Sequence, residues 1–301
     1  MAGVISKVEL EYKILDVFTD QRLQGNPLAL VLGADDLSPS MMQSIAREFN
    51  LSETAFVCQP KFERHTASLR IFTPTEELPF GGHPTLGAAV YLGIHNRSTA
   101  VRLEETLGTI TCVMEPVDKR TGSGKFSIPK LPERLDLELD DDAIADALGI
   151  PVADIGFGNL RPSAWSAGIS YVLVPVNSQE VLSNLQFERR GWADVFPIPR
   201  NAAYIFAPTP DERGIDYAAR MMKPGVTEDP ATGAAAAALA GMIAYNDPDP
   251  DLQLALTIRQ GREIGRTSRI EVSCRKSEGK ITTVGIGGRA VIVAAGKLDL
   301  T

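Results

Sequence analysis

The sequence predicts an α+β chain made of two similar halves, each with a sheet folded around a central helix. Three observations carry this expectation. The chain has 301 residues, more than one hydrophobic core usually organises and enough for two domains of about 150. A motif recurs along it. Arg70-Ile71-Phe72-Thr73-Pro74 leads to Gly82-His83-Pro84-Thr85-Leu86-Gly87-Ala88-Ala89, and Arg220-Met221-Met222-Lys223-Pro224 leads to Glu228-Asp229-Pro230-Ala231-Thr232-Gly233-Ala234-Ala235. Aligned on Pro84 and Pro230, the second loop is four residues shorter and His83 and Asp229 become counterparts. The third observation is the run of small residues in each copy, Gly87 to Ala89 and Ala234 to Ala238. Such residues let a helix sit tightly inside a sheet, and Ala has the highest helix propensity.

The elements follow in order. Glu9 to Phe18 alternates as a strand does, and Leu28 to Leu32 reads as a second, buried strand after the break at Gly25-Asn26-Pro27. Ser38-Pro39 opens a helix, because Ser caps well and Pro suits the first helical position. Met42, Ile45, Ala46 and Phe49 form its apolar face. Strands are expected at Glu53 to Cys58 and Ser68 to Phe72, then a Gly/Pro-rich loop and a helix from Thr85 to Gly93. Val101 to Glu104 and Thr109 to Glu115 read as a hairpin, and the polar, Gly-rich Val117 to Gly124 as a linker. Beyond it come a helix at Asp140 to Leu148, a strand at Ile169 to Val176 and a short helix at Gln179 to Leu185. A strand at Ala202 to Phe206, a helix at Ala231 to Tyr245 and strands at 254–260, 269–273, 281–286 and 290–295 complete the chain.

Composition narrows the function classes. Apolar residues make up 44% and charged residues 23%, ordinary globular values that exclude a disordered tail, a collagen or a coiled coil. The net charge of -8 speaks against a nucleic-acid partner, which needs clustered Lys and Arg. The cysteines Cys58, Cys112 and Cys274 are odd in number and far apart, which fits reduced thiols rather than a disulfide scaffold or a metal site. Neither a signal-peptide core near the start nor an apolar stretch of about 20 residues is present, so no membrane association and a cytoplasmic location are expected. There is no Walker loop, no H-E-x-x-H and no G-x-S-x-G, and the three histidines lack metal-ligand spacing.

Read residue by residue, the candidate chemistry has plain alternatives. Asp229 before Pro230 reads as a helix cap with a first-turn proline. Glu53, between a helix end and an apolar strand, reads as an ordinary solvated glutamate, as do Glu76, Glu77 and the run Asp140 to Asp142. His83 is less obviously a cap. Gly81, Gly82 and Gly87 around it let backbone N–H groups approach a ligand, and a helix start favours an anion. Two such starts facing one another would hold a small carboxylate.

Taken together, the motifs resemble the PhzF family of phenazine-biosynthesis isomerases. They are Gly25-Asn26-Pro27, Asn50-Leu51-Ser52-Glu53-Thr54, Arg70 to Pro74, Gly81 to Gly87, Glu228 to Gly233, Gln260 to Arg266 and Gly287 to Val291, in this order and over nearly the whole chain. The resemblance implies a diaminopimelate epimerase-like fold of two pseudo-symmetric halves with the active site in the cleft between them. The halves are then expected at 1–120 and 121–287, with a last strand, about 288–301, returning to the first. It also implies a cofactor-independent isomerase that moves a proton between carbons of a small anionic metabolite, a cyclic amino or hydroxy acid. The matching residues are Glu53 as proton carrier, His83 and Asp229 lining the site, and the backbone near Gly82 and Gly233 for the carboxylate. No metal and no cofactor are expected, and relatives are often homodimers. Two departures stand out. Ala234 occupies a place where family members commonly have Ser, which points away from the phenazine precursor itself. The thiol pair of the epimerase relatives is replaced by Gly81 and Pro230. A non-catalytic protein binding a small anion or a partner on the same scaffold is the alternative.

Overall fold

The structure is a computed structural model, and it describes residues 9–188, 190–224 and 228–300. Residues 1–8, the start of the region read as lacking a signal-peptide core, lie outside the described residues. The chain divides into two compact units. One runs to Phe126 and resumes at Arg289, and the other is Ser127–Gly288.

The first unit contains β1 (Glu9–Val17), β2 (Asn26–Leu32), α1 (Pro39–Phe49), β3 (Glu53–Cys58), β4 (Ala67–Phe72), β5 (Glu77–Leu78), α2 (Gly82–Asn96), β6 (Ala100–Glu105), β7 (Gly108–Pro116) and β8 (Thr121–Ser127). The second contains β9 (Glu133–Arg134), α3 (Asp141–Leu148), β10 (Ser163–Ser166), β11 (Ser170–Pro175), α4 (Gln179–Ser183), α5 (Trp192–Val195), β12 (Ala203–Pro208), β13 (Tyr217–Met222), α6 (Gly233–Asn246), β14 (Gln253–Gln260) and β15 (Ser268–Ser277). β16 (Lys280–Asp299) serves both: its first part pairs with β15 and its second with β1.

Each unit uses the same pairing scheme. In the first, β2 lies parallel to β3 and β4 parallel to β6, while β3–β4 and β6–β7 are antiparallel. In the second, β11 lies parallel to β12 and β13 parallel to β14, while β12–β13 and β14–β15 are antiparallel. Parallel neighbours need a long crossover, and α2 and α6 supply it at equivalent places. The first unit's strands close on themselves, because β16 meets β1 and its Ile292 N–H reaches Arg120 O beside β8.

Inside each sheet sits one helix that is buried on every side. α2 packs against β1, β2, β3, β6 and β7, and α6 against β9, β10, β11, β14 and β15. No amphipathic stripe is needed for a helix in that position, and small residues are what admit it. At Gly87 a Cβ would lie 2.6 Å from a Leu28 methyl and 2.9 Å from one of Val17. α1 lies outside the sheet and behaves as expected. Ser38 Oγ accepts the Met41 N–H at 3.2 Å, and Met42, Ile45 and Ala46 join Leu10, Val31, Phe56 and Phe72. Among the described residues no helix is long and apolar enough to cross a membrane.

Three expectations are corrected. Val117 to Gly124 is a hairpin rather than a linker, because Asp118 Oδ1 accepts the N–H groups of Arg120 and Thr121, both at 2.7 Å, and turns the chain into β8. The last two strands are one, since β16 runs unbroken from Lys280 to Asp299, with Gly285 and Gly287 paired to β15 and Ala290 to β1. Glu77 is not simply solvated: it takes the Arg70 guanidinium through two bonds of 2.7 Å.

That last pair also resets the internal repeat. Arg220 grips Glu228 in the same two-bond fashion, at 3.0 and 2.7 Å. Ile71 pairs with Leu78 as Met221 pairs with Asp229. From Glu77 it is five residues to the first residue of α2, and from Glu228 five to the first of α6. Gly82 therefore corresponds to Gly233, His83 to Ala234, and Asp229 to Leu78. The alignment on prolines was misplaced because Pro84 lies inside α2 whereas Pro230 precedes α6.

Candidate active site

In the first unit the structure brings Glu53 and His83 together. Glu53 is the first residue of β3, its side chain 17% exposed, and His83 is the second residue of α2, 5% exposed. Glu53 Oε2 lies 3.2 Å from His83 Nδ1. The strand and helix meet there because residue 81 has no side chain: a Cβ on Gly81 would stand 3.0 Å from Glu53 Oε2. The reading of Glu53 as an ordinary solvated glutamate is thus corrected. Gly82 opens α2 after a cap residue, Gly81, that offers no side-chain acceptor. The first-turn N–H groups there have no intrahelical partner.

The charge state of His83 follows from its surroundings. Burial pushes its pKa down to about 3, against the pull of a backbone hydrogen bond to Pro27. Its Nε2 is buried with no hydrogen-bond partner among the described residues. The imidazole is therefore neutral, and its approach to Glu53 is not an ion pair in spite of the distance. Because the folded state favours the neutral ring, the unfolded chain binds the proton first. The stability this group contributes is lost as pH falls from about 6.5 towards about 3. Urea midpoints measured across that window are expected to fall more steeply in the native protein than in His83→Asn; equal slopes would contradict a buried neutral ring.

The second unit holds Asp229, Gly233 and Ala234. Asp229 is not the cap of α6. Its backbone N–H goes to Met221 O at 3.1 Å, and its Oδ2 accepts the Thr232 hydroxyl proton at 2.6 Å. The helix begins four residues later, at Gly233, after Thr232. Gln260 fixes this turn. Its Oε1 accepts the Thr232 N–H at 3.0 Å, and its Nε2 donates to Asp229 O at 2.8 Å and to Thr232 Oγ1 at 3.0 Å. The place matching Gly81 is thus Thr232 rather than Pro230, and neither is a cysteine. Ala234 is 4% exposed and presents a methyl group. Tyr204 stands nearby with its hydroxyl buried and unbonded among the described residues. Burial, then the neighbouring Tyr171 and Asp229, push its pKa up and keep it protonated.

The thiols are unsuited to acid–base work. Burial first, with Asp35 adding to it, pushes Cys58 up to about 11; burial also pushes Cys274 to about 11 and Cys112 further up. Among the described residues no three His, Cys, Asp or Glu side chains form a group that could hold a metal ion. Sequence reading missed Gln260 and Tyr204, which sit in a loop-side motif and a plain strand, and whose roles exist only through contacts distant in sequence.

Comparison with known proteins adds five findings. A family model described as phenazine biosynthesis-like protein matches residues 15–296. A protein of Mesorhizobium japonicum described as an uncharacterized isomerase is 43% identical, over 95% of this chain and 98% of that protein. The trans-2,3-dihydro-3-hydroxyanthranilate isomerase of Pseudomonas aeruginosa is 35% identical, over 96% of this chain and 99% of that enzyme. In fold, the chain matches a PhzF-family protein of Bacillus anthracis with a TM-score of 0.85 at 24% identity, covering 97% and 99% of the two chains. It also matches a hydroxyproline epimerase of Agrobacterium vitis with a TM-score of 0.60 at 13% identity, covering 97% and 93%.

Proposed function

We propose a cofactor-independent proton transfer for this chain, which belongs to the phenazine biosynthesis-like (PhzF) family and is an isomerase. Its substrate is a small carboxylate-bearing metabolite, a cyclic amino or hydroxy acid. The observation that carries the reading is the apposition of Glu53 Oε2 to the neutral His83 ring and to the open start of α2.

In this reading Glu53 takes a proton from a carbon made acidic by a neighbouring carboxylate or enol system. It then returns the proton to another carbon on the same face, serving as base and acid in turn. His83, uncharged, exchanges a proton with a substrate heteroatom. Asp229, oriented by Thr232, receives an amino or hydroxyl group. First-turn N–H groups at Gly82 hold the carboxylate and stabilise enolate charge as it develops. The methyl of Ala234 makes the substrate contact at that point apolar, so the metabolite differs there from one that needs a hydroxyl partner.

Deuterium uptake from D2O into a panel of cyclic amino and hydroxy acids tests this directly. Uptake by at least one panel member, lost in Glu53→Gln, is expected. Exchange that persists in Glu53→Gln would remove Glu53 as the carrier.

A further inference from the structure

Two adjacent glutamates on β6 have partners of opposite kind. Glu104 accepts the N–H groups of Lys61 at 2.9 Å and Phe62 at 3.0 Å and meets His65 Nδ1 at 2.7 Å. Burial works against its charge, but these donors outweigh it and hold the carboxyl below its ordinary range. Glu105, on the other face of the strand, is 9% exposed and points at the start of α2. Its Oε1 lies 2.6 Å from Thr85 Oγ1, and its Oε2 is buried with no hydrogen-bond partner among the described residues.

Proton counting fixes what Glu105 is. Thr85 Oγ1 lies 2.6 Å from Gly81 O as well as 2.6 Å from Glu105 Oε1. A hydroxyl carries one proton, and a carbonyl has none to give. If Thr85 donates to Gly81, the second short contact is bonded only when Glu105 supplies the proton. A carboxylate there would also leave one charged oxygen bare, which is costly in a buried place. The titratable groups that face it offer no compensation. They are Glu53 from β3 and Cys112 from β7, with Glu104 on its own strand turned to the opposite face.

We infer that Glu105 is a neutral carboxylic acid that donates to Thr85, fixes the Gly81 carbonyl, and so holds the backbone against which the Glu53 carboxylate rests. It is a positioning residue, acting on the proton carrier through Thr85 and Gly81, and this rests on the reading of Glu53 given above. Burial pushes its pKa up to about 8 and the charge of Glu53 adds to it; a proton donated by Thr85 would pull it down, but here that proton goes to Gly81 O.

The test has two arms. Infrared difference spectra of the native protein against Glu105→Gln should show a protonated-carboxyl band below neutral pH that fades as pH passes about 8. A carboxylate band throughout overturns the inference, whatever the activity. In the D2O exchange assay, Glu105→Met should lower kcat by about tenfold with KM unchanged, the size of one lost buried hydrogen bond. Glu105→Gln should recover most of it, because an amide N–H replaces the O–H. Equal losses in both variants would reduce Glu105 to packing. The Glu53→Gln control separates the two readings: if it exchanges normally, the proton-carrier assignment fails while the infrared result still judges the charge state of Glu105.

Discussion

Glu53→Gln is expected to slow substrate deuterium exchange by about 10²- to 10⁴-fold, the usual contribution of one positioned acid–base group. The change keeps size and shape and removes only the capacity to carry a proton. Glu53→Asp is the more informative partner. It retains a carboxylate but withdraws it by about one methylene from His83 Nδ1, now 3.2 Å from its oxygen. A displacement of about 1 Å costs about 10²-fold in a positioned reaction. Both variants should melt as the native protein does, because the side chain is partly exposed and anchors no core. If Glu53→Asp works at the native rate, the group is an electrostatic bystander and another base does the chemistry.

Arg220→Met is expected to destabilise the protein by about 3–5 kcal/mol, and Arg70→Met by less than about 1 kcal/mol. The two arginines are counterparts, each with a two-bond grip on a glutamate. They differ in exposure. The side chains of Arg220 and Glu228 are 10% and 4% exposed, those of Arg70 and Glu77 31% and 36%. Removing Arg220 leaves the Glu228 carboxylate buried without its cation. It also takes a donor from Leu182 O and a guanidinium from above the Phe187 ring. Removing Arg70 leaves Glu77 to water. Urea unfolding of the two variants decides this, and similar losses would mean that burial does not set the worth of these pairs.

The periodic and punctuated parts of the fold were legible in the sequence. Ser38-Pro39 marks the start of α1 because capping is a local matter, and β3 stands where its apolar run ends at Glu53 and Cys58. The repeat was legible as text but not in register. Proline catches the eye in an alignment, yet Pro84 and Pro230 do different things, whereas the Arg–Glu grips that carry the equivalence are separated by variable loops. Glu53 and His83 were legible only as parts of a resemblance. Nothing around Glu53 in sequence shows that a glycine 28 positions later makes room for its carboxylate. Glu105 was not legible at all. It differs from Glu104 by one step along a strand, and that step decides between a face full of donors and one with a single hydroxyl.

β1 finds its second partner only at β16, with Glu9 opposite Asp299 and Val17 opposite Ala290. A ribosome delivers these segments far apart in time. Until the late segment emerges, the early one has β2 on one side and bare N–H and C=O groups on the other. The first ring of strands must therefore wait, open-edged, until β16 has been made. Pairings this distant in sequence are slow to form, and in that interval the early half is the part of the nascent chain most open to wrong neighbours.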